Sequence, residues 1–370
     1  MRVLSVFGTR PEAVKMAPVV HALAHTQGVD SHVCVTAQHR QMLDQVLKLF
    51  DIEPDYDLNL MREDQSLAQL SARIFRDLDP VLADLKPDWV LVQGDTTTVA
   101  ITALLSYYCR IRVGHVEAGL RTHDKWQPFP EEINRRVAGV VADLHFAPTE
   151  WARRNLLEEG VPDTVIAVTG NPVIDALQVV ARQPAPQEVN RLMSKLGIGE
   201  GKRLLLVTAH RRENFGQPLE NICIALLELA GRGDVEIVYP VHLNPNVQEP
   251  VRRLLKGASH ISLLPPLDYL PLVHFMKNST LVLTDSGGLQ EEAPAFGVPV
   301  LVLRAVTERP EGVEAGVLKL VGTDNRLIVR EANRLLDNPS AYAAMAKAVN
   351  PFGDGQASKR IVSALLKFTP

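Results

Sequence analysis

Short apolar runs rich in Val, Leu and Ile recur along the chain. Each is followed by Gly, Asp or Asn and then by a stretch whose apolar residues repeat at helical spacing. This alternation is typical of a parallel sheet with helices on both faces. Strands in the first half are predicted at residues 3–7, 32–36, 89–93, 112–116, 144–147 and 165–169. The first half is therefore predicted to form one doubly wound α/β domain.

The alternation stops after the Gly-Asn-Pro sequence at residues 170–172 and a polar stretch at residues 183–187, and then it resumes. Further strands are predicted at residues 203–208, 236–241, 261–264, 280–284 and 298–303. The predicted fold class is thus α/β, with two doubly wound Rossmann-like domains and a central cleft.

The expected domain boundaries follow from these interruptions. The first domain is predicted to span residues 1–169 and the second residues 170–355. A Gly- and Pro-containing break then precedes a last amphipathic helix. Its apolar stripe consists of Ile361, Leu365 and Phe368. We expect the terminal segment, about residues 356–370, to pack back on the first domain.

Composition narrows the class of protein. Hydrophobic residues make up 46% of the 370 residues and charged residues 22%, with a net charge of −4. No excess of Lys or Arg is available for a nucleic-acid backbone or an anionic membrane.

The first strand passes directly into polar residues without a signal-peptide apolar region, so a cytoplasmic protein is expected. Cys34, Cys109 and Cys223 are far apart and are expected to be buried small apolar residues.

Cations follow the first predicted strand. In open parallel sheets, ligands bind beyond the carboxyl ends of the strands. Arg10 precedes and Lys15 lies within the first turns of the following helix, where the helix dipole disfavours a cation. A bound anion such as a diphosphate would explain both residues, and a solvated lysine is an equal alternative. The loop lacks the Gly patterns of dinucleotide-binding and P-loop proteins, which argues against both classes.

Three carboxylates follow strands of the first domain or begin its helices. Asp95 comes directly after one strand, and on its own a helix-capping role is favoured for it. Glu117 follows the next strand and is expected at the same sheet edge, so this pair indicates acid and base chemistry. Glu131 is a third candidate acid or base, whereas Glu132 is interpreted as a structural residue at a helix start.

The corresponding loops of the second domain carry histidines and arginines. His210 and Arg211 follow its first strand, and a functional loop is favoured over an ordinary surface loop. His242 occupies the next equivalent loop, where a structural histidine is a fair alternative.

The strongest phosphate signal joins a later strand to a helix at residues 284–288. Ser286, Gly287 and Gly288 offer a hydroxyl group and closely approachable backbone amides. Glu292 could accept hydrogen bonds from ribose hydroxyls, and Arg309 adds a guanidinium group from the next loop. This pattern predicts a nucleotide-diphosphate site more than an ATPase.

Eight motifs, in this order, resemble those of the bacterial non-hydrolysing UDP-N-acetylglucosamine 2-epimerases. They are GTRPEA at 8–13, QHR at 38–40, GDTTT at 94–98, HVEAGLR at 115–121, PEE at 130–132, AHRREN at 209–214, DSGG at 285–288 and TERPE at 307–311. The resemblance implies a glycosyltransferase-B-type fold and interconversion of UDP-GlcNAc and UDP-ManNAc. It also implies a homodimer, no metal and no other cofactor, and a product that supplies cell-surface polysaccharide synthesis.

The implied chemistry is elimination followed by re-addition. UDP leaves C1, a carboxylate removes the C2 proton, and 2-acetamidoglucal is formed. UDP then returns while a proton is delivered to the opposite face of C2. Asp95, Glu117 and Glu131 are the candidate acids and bases, and which one removes the proton is left open. The groups expected to stabilise the leaving UDP are Arg10, His210, Ser286 and the amides near Gly287 and Gly288, and Lys15 is a further expected contact of the substrate or UDP.

The resemblance further implies contacts outside the reacting centre. Glu292 would hold the ribose, and Arg309 would line the nucleotide site. A second, activating UDP-GlcNAc would contact Gln38, His39, Gln41, Glu131, Arg211 and His242. Related enzymes carry Arg where this chain has Asp64, and some carry Gln and Phe where it has Leu267 and Leu272.

Three alternatives remain open at this point. A retaining glycosyltransferase would pass the sugar to an acceptor, and a hydrolysing epimerase would release free N-acetylmannosamine. A catalytically silent nucleotide-sugar sensor would need the diphosphate site but not the carboxylates.

Overall fold

The computed structural model describes residues 1–37, 40–60, 62 and 65–368, without the side chains of residues 40 and 41. The chain divides into two compact units. Unit 1 consists of Met1–Ala176 and Phe352–Pro370, and unit 2 consists of Leu177–Pro351. The boundaries predicted from the sequence lie after residues 169 and 355.

Unit 1 is built on a parallel sheet with seven strands in its described part. The strands are β1 (Arg2–Phe7), β2 (Asp30–Val35), β3 (Tyr56–Asp57), β4 (Trp89–Gln93), β5 (Arg112–Val116), β6 (Leu144–Ala147) and β7 (Ile166–Val168). Their order across the sheet is β3-β2-β1-β4-β5-β6-β7. The strand order therefore reverses between β1 and β4.

Unit 2 has a parallel sheet with six strands among its residues. They are β8 (Arg203–Thr208), β9 (Val235–Pro240), β10 (Ile261–Leu264), β11 (Leu281–Thr284), β12 (Val300–Val302) and β13 (Leu318–Leu320). The order is β10-β9-β8-β11-β12-β13, which reverses between β8 and β11. The two sheets confirm the predicted class of two doubly wound α/β domains.

Helices connect the strands throughout. Unit 1 contains α1 (Arg10–Ala24), α2 (Arg40–Leu49), α3 (Leu67–Leu85), α4 (Thr97–Tyr108), α5 (Glu131–Val141) and α6 (Glu150–Glu158). Helix α7 (Pro172–Val180) spans the boundary between the units. Unit 2 contains α8 (Gln187–Lys195), α9 (Gln217–Ala230), α10 (Pro245–Leu255), α11 (Tyr269–Lys277), α12 (Gly287–Glu292), α13 (Pro310–Glu314), α14 (Asn325–Asp337) and α15 (Pro339–Ala346). The final helix, α16 (Ala357–Lys367), belongs to unit 1.

Burial explains why the strands read as apolar runs. Every residue of β4 and of β11 is buried, as expected for parallel strands covered on both faces. Helix α3 shows how one covering helix is specified, because Ser66 and Gln69 form a capping box at its start. Leu70 and Ile74 then lie on its buried face.

Helix α16 packs against α1 in unit 1. Ile361 and Leu365 of the predicted stripe are buried. The carboxylate of Asp175 accepts hydrogen bonds from the backbone N–H groups of Ala357 and Ser358 at 3.1 and 2.9 Å. These contacts attach the start of α16 to unit 1.

Four features differ from the sequence predictions. Strands β3 and β13 were missed because they have two and three residues, and β13 carries a Lys between its two Leu residues. Strand β12 covers residues 300–302 and not 298–303. Cys34 and Cys223 are buried as predicted, but Cys109 is exposed at the end of α4, so the prediction for it was wrong.

Within the described residues, no helix is both long and apolar enough to cross a lipid bilayer.

Two buried histidines lie side by side in neighbouring strands. His115 of β5 pairs in register with His145 of β6. Burial lowers the pKa of His115 to about 3 and that of His145 to about 4, and the positive charge of Arg121 adds to both shifts. The carbonyl of Gly94, 2.7 Å from His115 Nε2, opposes the first shift. Both imidazoles are therefore neutral in the folded protein near pH 6.

We predict that His115→Gln reduces the acid sensitivity of the fold. A histidine has a pKa near 6.5 in the unfolded chain. As the pH falls, it therefore binds a proton in the unfolded state before it does so in the folded state, and this stabilises the unfolded state. The contribution of the neutral His115 imidazole to the free energy of unfolding is fully present above pH 6.5. It is lost as the pH falls towards the folded pKa of about 3. Each buried histidine should lower the free energy of unfolding by about 1.4 kcal/mol between pH 7.5 and 5.5.

Urea denaturation at these two pH values measures the effect. His115→Gln should decrease the drop in unfolding free energy by about 1.4 kcal/mol. The matched control His25→Gln, at an exposed position, should leave the drop as in the wild type. An unchanged drop in the His115 variant would contradict the interpretation.

Candidate active site

The candidate residues of unit 1 lie at the carboxyl ends of adjacent strands. Strand β1 pairs with β4, and β4 pairs with β5 up to Gln93 opposite Val116. The backbone N–H of Gly94 donates to the carbonyl of Val116 at 3.0 Å, which joins the two strand ends. Glu117, the next residue, has a positive φ of 65°. A non-glycine residue held in this region is characteristic of functional positions.

Glu117 is buried at the centre of a hydrogen-bonded group. Its carboxylate forms an ion pair with the ammonium group of Lys15. Gln93 Nε2 donates to Oε2 at 2.5 Å, and Asn171 Nδ2 donates to Oε1 at 2.9 Å. Side chains from three other segments thus fix one carboxylate at the end of β5.

The position of Lys15 excludes one of the two sequence interpretations of this residue. Its side chain is 13% exposed and contacts Glu117, so the interpretation as a solvated lysine was wrong. Arg10 is the first residue of α1 and is half-buried.

Asp95 does not cap α4. Thr96 occupies the N-cap position and accepts a hydrogen bond from the backbone N–H of Val99 at 3.4 Å, so the capping prediction for Asp95 was wrong. Asp95 instead forms an ion pair with Arg135 of α5. The buried Arg135 also contacts Glu132 at 3.3 Å. Asp95 is therefore connected by a charge pair to the helix that begins with a further candidate carboxylate.

Glu131 and Glu132 start α5 but have different surroundings. Glu131 is the first residue of the helix and is half-buried. The side chain of Glu132 is completely buried, and its carboxylate accepts hydrogen bonds from the backbone N–H groups of Thr122 and His123 at 3.1 and 3.3 Å. These contacts agree with the structural interpretation of Glu132.

A further buried carboxylate, Glu12, holds the loop after β1. It accepts hydrogen bonds from the backbone N–H groups of Gly8 and Thr9 and from the hydroxyl of Thr96. Burial raises the pKa of Glu12, while these donors oppose the shift. A Cβ atom at Gly8 would lie 2.0 Å from Thr36 Oγ1, so only glycine fits there. Glu12 thereby links the loops after β1 and β4.

In unit 2 the reversal of strand order brings His210 and Asp285 together. Strand β8 pairs with β11 up to Thr208 opposite Thr284. His210 lies just after β8, and Asp285 lies just after β11. Asp285 is completely buried and accepts hydrogen bonds from the backbone N–H groups of His210 and Arg211, both at 2.8 Å.

The imidazole of His210 also stacks on that of His242. The ring centroids are 5.3 Å apart and the planes differ by 10°. Burial lowers the pKa of His210, Asp285 opposes the shift, and His242 and Arg211 add to it. His242 is exposed, and its Nδ1 accepts a hydrogen bond from the backbone N–H of Asn244 at 3.1 Å.

The predicted phosphate loop lies next to Arg309. A Cβ atom at Gly287 would be 3.2 Å from the guanidinium carbon of Arg309, whereas at Gly288 it would meet only Ser286 Oγ at 4.0 Å. Arg309 Nε donates to Glu291 at 2.7 Å. The absence of a side chain at Gly287 therefore allows the guanidinium group to approach the loop backbone.

Glu292 is buried one turn further along α12. The hydroxyl of Tyr269 donates to its carboxylate at 3.3 Å. Tyr269 lies two residues after Leu267. Leu267 is one of the two positions at which this chain differs from some relatives.

The second substrate site expected from the resemblance includes residues outside the described part of the chain. Gln38, His39 and Asp64 lie outside the described residues, as does the side chain of Gln41. Arg211 and His242 lie beside His210, as described above.

Sequence reasoning missed four side chains that hold the candidates. Gln93, Asn171 and Arg135 contact Glu117 or Asp95, and Tyr269 contacts Glu292. Asn171 was noticed only as part of an interruption between domains. A polar residue in an otherwise apolar strand, as at Gln93, was an available signal.

Comparison with known proteins identifies the family. Residues 21–366 match the family model described as UDP-N-acetylglucosamine 2-epimerase. The chain is 56% identical to UDP-N-acetylglucosamine 2-epimerase of Escherichia coli K12 over 371 residues, covering 99% of this chain and 98% of the relative.

Solved structures have the same two-domain fold. UDP-GlcNAc 2-epimerase from Neisseria meningitidis, bound to UDP-GlcNAc, has a TM-score of 0.90 and 48% identity over 100% of both chains. The enzyme from Methanocaldococcus jannaschii, in complex with UDP-GlcNAc and UDP, has a TM-score of 0.81 and 33% identity over 99% of each chain. The chain therefore belongs to the UDP-N-acetylglucosamine 2-epimerase family.

Proposed function

We propose that the chain interconverts UDP-GlcNAc and UDP-ManNAc by elimination and re-addition of UDP. The electron pair of the C1–O bond leaves with UDP, and the C2–H electron pair forms the C1=C2 double bond of 2-acetamidoglucal. A carboxylate takes the C2 proton. In the second half-reaction a proton is added to the opposite face of C2 and UDP returns to C1. The observation that carries this proposal is the buried carboxylate of Glu117, which is held by the side chains of Lys15, Gln93 and Asn171.

Unit 1 supplies the acid and base groups in this proposal. Glu117, Asp95 and Glu131 are the candidates, and all three belong to the loops or helix that follow adjacent strands. Lys15, Gln93 and Asn171 keep the Glu117 carboxylate in one orientation. A fixed orientation favours proton transfer because the reacting atoms must lie within hydrogen-bond distance.

Unit 2 supplies the nucleotide contacts. Ser286 and the amides of Gly287 and Gly288 would bind the diphosphate, with Arg309 close to the same loop. His210 would donate a hydrogen bond to the oxygen that leaves C1. These groups stabilise negative charge as it develops on UDP, which lowers the barrier to elimination. Lys15 is better placed to orient Glu117 than to contact the diphosphate, because it already pairs with that carboxylate.

The decisive experiment is incubation with UDP-GlcNAc in D₂O, followed by proton NMR and mass spectrometry. We expect deuterium at C2 of both sugars and formation of UDP-ManNAc. Release of free N-acetylmannosamine would favour the hydrolysing reaction. Binding of UDP without any exchange or new sugar would favour a sensor or a glycosyltransferase.

Amide variants then test the carboxylates. Asp95→Asn, Glu117→Gln and Glu131→Gln should each slow epimerisation by about 10²- to 10⁴-fold, as expected for loss of an acid or base. Glu150→Gln is the control, because that carboxylate is 69% exposed at the start of α6. Wild-type rates in all three variants would exclude the proposed roles.

Glu292 is predicted to bind the ribose hydroxyls. Glu292→Gln should weaken UDP binding by about tenfold, since a charge-assisted hydrogen bond is replaced by a weaker one. It should leave the affinity for 2′,3′-dideoxy-UDP unchanged. Isothermal titration calorimetry measures both constants.

Tyr269→Phe is the matched control for Glu292. It removes the hydroxyl that donates to the carboxylate but leaves the carboxylate in place. Its effect on UDP binding should be smaller. Equal losses for UDP and the dideoxy nucleotide in the Glu292 variant would show that Glu292 does not contact the ribose.

A homodimer is also part of the proposal. Exposed apolar side chains lie on α4 and α5, which pack against each other. Tyr107 and Tyr108 are 60% and 63% exposed, and Val140 is 85% exposed. A second copy of the chain would cover this surface. Light scattering should give twice the chain mass of 40.8 kDa, and Val140→Glu should shift the protein to monomer. A wild-type monomer would contradict the proposal.

The activating second UDP-GlcNAc and the supply of cell-surface polysaccharide synthesis stay predictions from the family resemblance.

A further inference from the structure

Asp285 is a buried carboxylate without a role in the reaction described so far. Its two oxygens have different surroundings. Oδ2 accepts hydrogen bonds from the backbone N–H groups of His210 and Arg211 at 2.8 Å and from Asn214 Nδ2 at 3.0 Å. This oxygen therefore holds the loop that carries His210.

The other oxygen faces the imidazole itself. Oδ1 is buried, and no donor among the described residues lies within hydrogen-bond distance of it. It is 3.6 Å from His210 Nδ1. A buried acceptor without a donor is unfavourable, so a nearby N–H group would be stabilised there. A shift of roughly half an ångström would bring Nδ1 into hydrogen-bond range.

Further hydrogen bonds anchor the loop that carries His210. Tyr239 is buried, and its hydroxyl donates to the carbonyl of Ala209 at 2.8 Å. Asn214 also donates to the carbonyl of Leu303 at 3.1 Å. These bonds fix the backbone on both sides of His210, so the imidazole can turn only about its side-chain torsions.

The other charged or titratable groups around the imidazole are positive or can become so. Among the described residues they are His242, stacked on the ring, and Arg211. Both oppose protonation of His210, and Asp285 favours it. Asp285 is thus the group that would stabilise a positive charge on this ring.

We propose that Asp285 is a positioning residue that accepts a hydrogen bond from His210 Nδ1–H and directs Nε2 towards the oxygen that leaves C1. As negative charge develops on that oxygen, the imidazolium form donates Nε2–H to it, and Asp285 balances the positive charge. This inference rests on the proposed function, because it assigns the contact to the departure of UDP.

Asp285→Asn is the appropriate variant because it preserves the shape of the side chain. The amide oxygen can still accept the three loop donors, whereas the amide nitrogen then faces Nδ1. We expect the proton of the neutral imidazole to move from Nδ1 to Nε2. The kcat value should fall by about 10²-fold, with KM within about threefold of the wild type.

Two measurements separate positioning from a purely structural role. Two-bond ¹⁵N–¹H NMR spectra report which ring nitrogen carries the proton, and the His210→Asn spectrum assigns the signal. The pH profile of kcat should lose its His210-dependent limb or shift it to lower pH in Asp285→Asn, because the negative charge is removed. An unchanged tautomer and pH profile would overturn the proposal, whatever the fall in kcat.

Asn214→Ala is the matched control. It removes one of the donors that hold the loop but leaves the carboxylate beside His210. It should keep the wild-type tautomer and pH profile. If it reproduces the effects of Asp285→Asn, the contribution of Asp285 is only to hold the loop.

The double variant His210→Asn, Asp285→Asn tests whether Asp285 acts through His210. The second substitution should reduce kcat by less than about threefold beyond His210→Asn alone. A further loss of about 10²-fold would show an independent role and contradict the proposal. The NMR experiment needs no catalysis, so a protein without epimerase activity would refute the proposed function and still test the contact.

Discussion

The hydrogen-bonded pairing of β1 with β4 and of β8 with β11 determines where the chemistry of each unit can be placed. At these two positions the strand order reverses, so helices connect to opposite faces and the loops diverge above the strand ends. Each reversal places side chains together that are distant in the sequence. His210 and Asp285 meet because Thr208 and Thr284 are paired in register. The same rule places the loops around Glu12 and Asp95 next to each other.

Charge burial is the second constraint on these strand ends. A carboxylate removed from water must receive hydrogen bonds or an opposite charge. Glu132 satisfies this requirement with backbone donors and arginine, and it stabilises the loop between β5 and α5. Glu117 satisfies it with the side chains of Lys15, Gln93 and Asn171. The two carboxylates therefore differ in the kind of donor that each receives, backbone N–H groups for Glu132 and side chains for Glu117.

Local patterns in the sequence were sufficient for most of the fold. Buried strands and amphipathic helices have different periods, and parallel strand ends are natural ligand positions, so the loops with Glu117, His210 and Ser286 were identified in advance. The side chains that contact each candidate residue were not predictable, because these contacts join residues that are distant in the sequence. Lys15 and Glu117 are 102 positions apart, and Asn171 is 54 positions from Glu117. Asp95 and Thr96 both have side chains that suit an N-cap, and in the structure Thr96 caps α4 while Asp95 pairs with Arg135.

The return of α16 to unit 1 also bears on how the chain is made. Helix α16 packs on α1, but all of unit 2, residues 177–351, is synthesised between them. At roughly 5–20 residues per second, a ribosome needs about 9 to 35 s to cross that interval. During this time the face of α1 that α16 will cover lacks its partner helix. Unit 1 can therefore complete its core only after all of unit 2 has been synthesised, when Asp175 receives the first N–H groups of α16.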